Sequence, residues 1–244
     1  MPTTHILFDC DNTLVLSEHL AFEACAGLIN DILSTLNIPN APTYTGSQLI
    51  VDFVGQNFRG MLITLQSQLN FTLPPDELEK YVSLEEDRVI AKLKEELVPC
   101  VGANEELAKL AASGKYQLAV VSSSAHRRVM ASLEKVNQTQ YFPPERVFSA
   151  ATSLPKPTSK PDPAIYLHAC KVLGVEPANA VAVEDSKSGT LSAVRAGIPV
   201  IAYVGSYETP EKQKEMANAL KEQGAKVVMY DWKKFDECLK AIDQ

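Results

Sequence analysis

Long hydrophobic runs are absent from this sequence. No apolar stretch approaches the roughly 20 residues that a helix needs to cross a lipid bilayer. The first residues lead directly into a short strand-like segment, and they lack the pattern of a secretory signal. We therefore expect a cytoplasmic protein with no membrane partner.

Basic charge and cysteine are also scarce. The chain has 23 Lys and Arg residues against 30 Asp and Glu residues, and the net charge of −7 argues against nucleic acid as a partner. A small phosphorylated substrate is still compatible, because a bound cation reverses the local potential. The five cysteines are scattered without C-x-x-C spacing, and this odd number favours reduced thiols in a cytosolic protein.

The sequence does contain a regular alternation of short apolar segments and helical patterns. Strands are expected at residues 6–8, 118–121, 146–148, 181–183, 200–204 and 227–230. Helices are expected at residues 103–112, 125–136, 163–173, 188–196 and 210–223. This pattern predicts an α/β fold with a Rossmann-like parallel sheet as its core, and ligands of such sheets bind at the carboxyl ends of the strands. No pattern indicates an oligomeric state.

One block of the chain interrupts this alternation. Helical patterns without a convincing strand pair cover three segments, at residues 20–36, 58–69 and 76–97. We expect an α-helical cap domain of residues 17–97, inserted into a core domain of residues 1–16 and 98–244. Because the insert follows an acidic turn directly, we favour a lid over the site. A helical elaboration packed rigidly on one edge of the sheet is the alternative.

The acidic turn is formed by residues 9–13, with the sequence DCDNT. A short apolar strand delivers Asp9 and Asp11 to this turn, so that one carboxylate can act as nucleophile and metal ligand and the other as acid and base. Turn formation alone is the simpler explanation, because Asp, Asn and Thr all favour turns. A catalytic role for Cys10 is disfavoured, since period-two alternation turns its side chain away from the two acids.

Three later segments place polar side chains at or near strand ends. Ser122 and Ser123 follow an apolar strand and precede a helix. Lys160 lies in a proline-rich loop, and Glu184 and Asp185 end another strand. Each has an ordinary explanation alone, as a helix cap, a solvated lysine, or acids that favour a helix start. Their occurrence in this order on one α/β frame argues for a common site.

This order resembles the four motifs of the haloacid dehalogenase-like hydrolase superfamily, and the resemblance covers nearly the whole chain. The matching segments are residues 9–13 (DCDNT), 121–122 (VS), 159–163 (SKPDP) and 183–186 (VEDS). The helical insert resembles the cap of the subfamily that contains β-phosphoglucomutase, phosphoglycolate phosphatase and many sugar-phosphate phosphatases.

The resemblance implies a role for each of these residues and Mg²⁺ as the cofactor. Asp9 would attack phosphorus to form an aspartyl-phosphate, while Asp11 would protonate the leaving oxygen and then deprotonate the attacking water. The phosphoryl group would be bound by Ser122, Ser123 and Lys160. Mg²⁺ would be held by Asp9, Asp11 (through its backbone carbonyl), Glu184 and Asp185. Mg²⁺ and Lys160 would also lower the pKa of Asp9.

Two positions depart from the pattern of many relatives. Asn12 stands where many have glycine, and Asn tolerates the same turn geometry. Leu16 stands where many have an aspartate that helps to fix the start of the cap, a role that Ser17 could take instead. The second departure bears on how the cap opens and closes rather than on the core chemistry.

Substrate specificity is expected in the cap segment 54–60, where Gly55 and Gly60 would loosen a loop. Its candidate side chains are Gln56, Asn57 and Arg59. Arg59 could clamp a distal anion, or it could simply pair with Asp52 at the surface. His126 and Arg127 also lie near the rim of the expected site, although solvated helix positions explain them equally.

The expected activity is Mg²⁺-dependent hydrolysis of a small phosphomonoester, a sugar phosphate, polyol phosphate or nucleotide. A phosphomutase of the β-phosphoglucomutase type is the first alternative, because it shares every motif. A non-catalytic binding protein with this fold is the second, although both Asp9 and Asp11 are retained. A dehalogenase is disfavoured, since those relatives lack an acid at the position of Asp11.

Overall fold

A computed structural model of the protein describes residues 3–53 and 56–244. The chain divides into two compact units. The larger unit is formed by Met1–Leu16 with Val98–Gln244, and the smaller unit by Ser17–Leu97. Among the described residues, no helix is both long enough and apolar enough to cross a bilayer.

The larger unit is built on a six-stranded parallel sheet. Its strands are β1 (His5–Phe8), β2 (Gln117–Ser122), β3 (Val147–Ser149), β4 (Ala180–Glu184), β5 (Val200–Tyr203) and β6 (Val227–Met229). Their spatial order is β3-β2-β1-β4-β5-β6, so β1 lies at the centre between β2 and β4. The predicted α/β class and parallel sheet are confirmed, and each strand lies within one residue of its predicted limits.

The smaller unit is helical. Its helices are α1 (Glu18–Thr35), α2 (Gly46–Asp52), α3 (Phe58–Gln68) and α4 (Pro75–Glu96). Ser17 stands at the N-cap position of α1, and Asn57 caps α3 by accepting a hydrogen bond from the backbone N–H of Gly60. Leu28 and Leu93, on α1 and α4, are among the apolar side chains buried in this unit.

Helices also connect the strands of the larger unit. They are α5 (Ala103–Ser113), α6 (His126–Lys135), α7 (Ala164–Leu173), α8 (Lys187–Arg195), α9 (Pro210–Glu222) and α10 (Phe235–Ile242), with three short 3-10 helices at Pro144–Arg146, Pro177–Asn179 and Trp232–Lys234. Helices α5 to α9 were predicted from the sequence, whereas α2 and α10 were not.

Strand β1 is buried on both of its faces. Leu7 belongs to an apolar cluster that includes Ile165 and Tyr166 of α7. Phe8 points the other way, and its ring centroid lies 5.9 Å from that of Trp232 and 6.2 Å from that of Phe235. Because consecutive side chains of a strand alternate in direction, this burial requires cover on both faces of the sheet. The carboxyl end of β1 is thereby held at the middle of a rigid edge.

Candidate active site

The carboxyl ends of β1, β2 and β4 lie side by side. Phe8 pairs in register with Val120 on one side and with Val183 on the other. Asp9 follows β1 directly and continues the sheet, since its backbone N–H donates to the carbonyl of Val183 at 2.9 Å. Ser122 and Glu184, which end their strands, are thus brought next to the acidic turn by strand pairing alone.

The acidic turn closes on itself through backbone hydrogen bonds. The N–H of Asn12 donates to the carbonyl of Val15, and the N–H of Leu14 donates to that of Cys10. Asn12 adopts a φ of 56°, in the left-handed region that Asn and Gly tolerate best. Asn12 therefore supplies the turn geometry that was expected of it from the sequence. The turn directs Asp9 and Asp11 to the site.

Lys160 is the central cation of the site. Its side chain is almost fully buried, and Nζ lies 2.6 Å from Asp9 Oδ1 and 2.7 Å from Glu184 Oε1. Nζ also donates to the backbone carbonyl of Val121 at 2.8 Å. Its three donor hydrogens are therefore matched by two carboxylates and one carbonyl, each from a different strand or strand end.

Tyr166 supports this arrangement from below. Its buried hydroxyl donates to Glu184 Oε1, the same oxygen that contacts Lys160. Its ring lies under the lysine, with Nζ 5.3 Å from the centroid, a distance at which a cation and an aromatic face attract. Tyr166 thus orients both Glu184 and Lys160. Nothing in the sequence pattern singled it out, because an aromatic residue on an apolar helix is usually core.

Glu184 fits against helix α8 because the residue opposite its carboxylate, Gly189, has no side chain. A Cβ atom on Gly189 would lie 1.8 Å from Glu184 Oε2. Gly189 belongs to the first turn of α8, where its N–H donates to the Oγ of the N-cap residue Ser186 at 3.0 Å. The close approach of carboxylate and helix therefore requires glycine at position 189. Oε2 itself is buried without a hydrogen-bond partner among the described residues.

Three buried carboxylates form a cluster suited to a metal ion. Ligand atoms of Asp9, Glu184 and Asp185 all lie within 4.8 Å of one another. Thr13 orients Asp185 by donating its Oγ1 hydrogen to Oδ1 at 3.3 Å. Three carboxylates against the single charge of Lys160 leave an excess of negative charge, and all the donors are hard oxygens. This set fits a divalent cation such as those bound through carboxylates.

Burial dominates the ionisation of the nucleophile candidate. Burial, together with the smaller effects of the Glu184 and Asp11 charges, raises the pKa of Asp9 to about 7 against the lowering effect of Lys160. Burial also opposes the charge on Lys160, but Asp9 and Glu184 outweigh it and hold the pKa of Lys160 above its usual range. From the sequence, Lys160 and a cation together were expected to lower the pKa of Asp9. The lysine alone does not compensate for desolvation, and a cation bound by the same carboxylates would lower the pKa of Asp9.

Cys10 is excluded as a nucleophile by its surroundings. Its side chain is fully buried, and burial together with the charges of Asp11 and Asp9 raises the pKa of the thiol well above its ordinary value. A thiol of this kind stays protonated and unreactive near neutral pH. All five cysteines are free and buried.

The serines after β2 hold the neighbouring segments together. Ser122 Oγ accepts a hydrogen bond from the N–H of Ser124 at 3.0 Å, which leaves its own hydroxyl hydrogen to be directed elsewhere. Ser123 Oγ accepts from the backbone N–H of Lys160 at 3.2 Å. Ser123 therefore fixes the loop that carries the lysine, in addition to its predicted place beside the phosphoryl group.

Asp11 has two neighbours that were not identified from the sequence. Ser124 Oγ donates to Asp11 Oδ2 at 2.7 Å, and Arg128 Nη2 lies 3.6 Å from Asp11 Oδ1. The residues predicted at the rim were His126 and Arg127 instead. His126 is half-buried, with Nε2 3.4 Å from the carbonyl of Pro144, whereas Arg127 is exposed. The sequence carried one signal for Arg128. It directly precedes residue 129, an apolar position of the helix that begins at residue 126.

The candidate specificity residues all lie in the smaller unit, where other described residues engage them. Gln56 Oε1 accepts a hydrogen bond from Thr64, and Asn57 is the N-cap of α3. Arg59 makes a two-pronged ion pair with Glu79, in place of the pairing with Asp52 that was considered. Residues 54 and 55, which belong to the same predicted loop, lie outside the described residues.

Comparisons with known proteins show the family of the chain. A family model described as haloacid dehalogenase-like hydrolase matches residues 6–203. The chain is 28% identical to 6-phosphogluconate phosphatase of Escherichia coli over 81% of each chain. It is 30% identical to phosphoglycolate phosphatase of Psychrobacter arcticus, covering 83% of this chain and 84% of that one.

A solved structure extends the similarity to three dimensions. It is a haloacid dehalogenase (HAD) family hydrolase from Deinococcus radiodurans, determined with bound phosphate and sodium. The TM-score is 0.72 at 25% identity, and the similarity covers 99% of this chain and 97% of that one.

Proposed function

The chain belongs to the haloacid dehalogenase-like hydrolase family, and we propose that it is a Mg²⁺-dependent phosphatase that works through an aspartyl-phosphate on Asp9. It is a phosphoric monoester hydrolase of small phosphorylated metabolites, like the relatives named above. The observation that carries the proposal is the buried group of three carboxylates at adjoining strand ends, Asp9, Glu184 and Asp185, with Lys160 against two of them.

In the first half-reaction Asp9 is the nucleophile. One of its carboxylate oxygens attacks phosphorus, and the bond between phosphorus and the ester oxygen breaks. The hydroxyl of Ser122 binds the phosphoryl oxygens, and Lys160 either exchanges one of its present partners for them or acts on them through its charge, where negative charge spreads in the transition state. Asp11 gives its proton to the departing ester oxygen, which leaves as an alcohol.

In the second half-reaction the aspartyl-phosphate is hydrolysed. Asp11, now ionised, takes a proton from a water molecule as that water attacks phosphorus. The bond between phosphorus and the Asp9 oxygen breaks, and inorganic phosphate and the free carboxylate are regenerated. Ser124 holds the Asp11 carboxylate by its 2.7 Å hydrogen bond. The same side chain can thus serve as acid and then as base.

Mg²⁺ would be held by the carboxylates of Asp9 and Asp185, the backbone carbonyl of Asp11, and Glu184 directly or through water. When bound, it neutralises the clustered negative charge and helps to polarise the phosphoryl group. Thr13 supports this site by orienting Asp185.

Residues 17–97 are proposed as a cap domain that selects the substrate. Their insertion directly after the acidic turn and their separation into a compact helical unit support this role. Gln56, Asn57 and Arg59 remain its candidate contacts, with Arg59 requiring release from Glu79 before it binds an anion. Gluconate and glycolate, in the relatives' names, are both hydroxy acids.

A cytoplasmic location is proposed because all five cysteines are free.

The test is hydrolysis of p-nitrophenyl phosphate with Mg²⁺ or with EDTA by the wild type, Asp9→Asn and Asp236→Asn. Asp236 is an exposed aspartate on α10 and serves as the matched control. We expect Mg²⁺-dependent turnover in the wild type and control, and a loss of at least about 10³-fold in Asp9→Asn because the nucleophile is gone. Wild-type protein that is folded and loaded with Mg²⁺ but inactive on this ester and on a phosphometabolite panel would contradict the proposal.

A phosphomutase would differ in the acceptor of the phosphoryl group. It would transfer the group to a sugar phosphate and release little inorganic phosphate. Measuring phosphate release and sugar-phosphate isomerisation on the same sample therefore separates the two activities.

A further inference from the structure

Arg128 stands beside the residue that acts on the leaving group. It lies in the first turn of α6, and its Nη2 is 3.6 Å from Asp11 Oδ1. Asp11 Oδ2 is occupied by the Ser124 hydroxyl at 2.7 Å, so Oδ1 faces the arginine. All three residues belong to the larger unit and follow β1 and β2.

The guanidinium has hydrogen-bonding capacity that the described residues do not use. Its Nε is buried without a hydrogen-bond partner among them. The contact with Asp11 at 3.6 Å is longer than a hydrogen bond, so it is an attraction between charges rather than a shared hydrogen. The side chain is one-fifth exposed, so part of it is accessible to a ligand.

The position of Arg128 in its helix is electrostatically unfavourable. A cation in the first turn faces the positive end of the helix dipole. The first turn of α6 contains no acidic residue that would offset it. A buried unpartnered donor adds a desolvation cost. A bound anion would offset both the repulsion by the helix dipole and the desolvation of the donor. Asp11 offsets them less, because it makes no hydrogen bond to the guanidinium.

We propose that Arg128 is a specificity-determining residue that binds a carboxylate on the leaving alcohol, so that the substrate is the phosphate ester of a hydroxy acid. This rests on the proposed function, because the role of Asp11 is what locates the leaving oxygen. An ester oxygen hydrogen-bonded to Oδ1 would lie at most about 6.5 Å from Nη2. A carboxylate on the carbon that bears that oxygen spans this gap, and its planar shape matches the guanidinium fork.

The experiment compares two esters of the same chain length, 2-phosphoglycolate and 2-hydroxyethyl phosphate, which carry a carboxylate and a hydroxymethyl group. The wild type should prefer the carboxylate by at least about tenfold in kcat/KM. Arg128→Gln should reduce that ratio by about tenfold, because the loss of kcat/KM on 2-phosphoglycolate exceeds the loss on 2-hydroxyethyl phosphate. Arg128→Lys should recover part of the ratio, because it restores the charge but not the fork. Arg127→Gln, the exposed neighbour, should keep the wild-type ratio.

Two outcomes would overturn the assignment. A wild type without preference means that no carboxylate is recognised. Equal losses on both esters in Arg128→Gln mean that the arginine only positions Asp11. These outcomes are separate from a failure of the proposed function, since p-nitrophenyl phosphate would still be hydrolysed in both.

A binding measurement covers the case in which Arg128→Gln does not fold, as judged by circular dichroism. Calorimetry with Asp9→Asn and Mg²⁺ gives the Kd of each ester without turnover. Binding of 2-phosphoglycolate about tenfold tighter than that of 2-hydroxyethyl phosphate is expected. Equal Kd values would contradict the proposal.

Discussion

The buried charged group at the centre of the site contains two carboxylates and one ammonium group, those of Asp9, Glu184 and Lys160. Its charges therefore do not cancel in pairs. Asp9 and Glu184 compete for one ammonium group, at 2.6 and 2.7 Å. Tyr166 relieves this competition by giving Glu184 a second donor. Buried charges are stable only when each is paired and hydrogen-bonded, so the site depends on the tyrosine, and a cation bound by the three carboxylates would stabilise it further.

Gly189→Ala tests the close approach of Glu184 to α8. The new Cβ would lie 1.8 Å from Glu184 Oε2, so the carboxylate must move away from Lys160 and Tyr166. We expect a loss of about 10- to 100-fold in Mg²⁺ affinity, measured by calorimetry, with a lower Tm. Gly27→Ala is the matched control, because Gly27 lies inside α1 and a Cβ atom added there would have no neighbouring atom within 4 Å. It should raise stability by about 0.5–1 kcal/mol and leave Mg²⁺ binding unchanged. Unaltered Mg²⁺ binding in Gly189→Ala would contradict the tight fit.

At the scale of elements, the sequence patterns that predict strands and helices are stronger in some segments than in others. Strands β1, β2 and β4 are continuous apolar runs, and the sequence predicted them to within one residue. Helix α2 has only seven residues and follows an irregular stretch, so its apolar period is too short to recognise. Its start does carry a local signature, the reciprocal capping box of Thr45 and Gln48. Such short elements are best found by their caps rather than by periodicity.

Thr45→Ala tests how strongly that cap holds α2. The threonine Oγ1 accepts from the backbone N–H of Gln48 at 3.2 Å, and the Gln48 side chain accepts from the N–H of Thr45 at 2.9 Å. Removing the hydroxyl should lower the free energy of unfolding by about 1 kcal/mol, measured by urea denaturation. Thr43→Ala, an exposed threonine before the helix, is the control and should change it little. Identical stabilities for both variants would mean that the cap contributes nothing.

At the scale of the whole molecule, an acidic chain concentrates three carboxylates in one buried place. The net charge of −7 is compatible with the binding of a phosphate ester, because a cation at this cluster would reverse the local field. Folding and metal binding are coupled at such a site, since the carboxylates lie close together only in the folded chain.

Mg²⁺ should therefore stabilise the protein against heat. A ligand at 100 times its Kd adds about 2.7 kcal/mol to the free energy of unfolding, which scanning calorimetry detects as a rise in Tm. Asp185→Asn, which removes one carboxylate charge, should greatly reduce the rise, whereas Asp236→Asn on the exposed face of α10 should retain it. A rise of the same size in Asp185→Asn would place the ion elsewhere.

The sequence by itself determined the α/β class, the strand positions and the order of the polar segments at strand ends. These are local properties, because apolar period and turn composition fix them over a few residues. The tertiary structure alone decided that Tyr166 donates to Glu184, that Gly189 makes room for that carboxylate, and that Arg128 faces Asp11. Each of these contacts depends on how a helix is rotated and seated on the sheet, and that is set by side-chain packing across the whole core rather than by any local pattern.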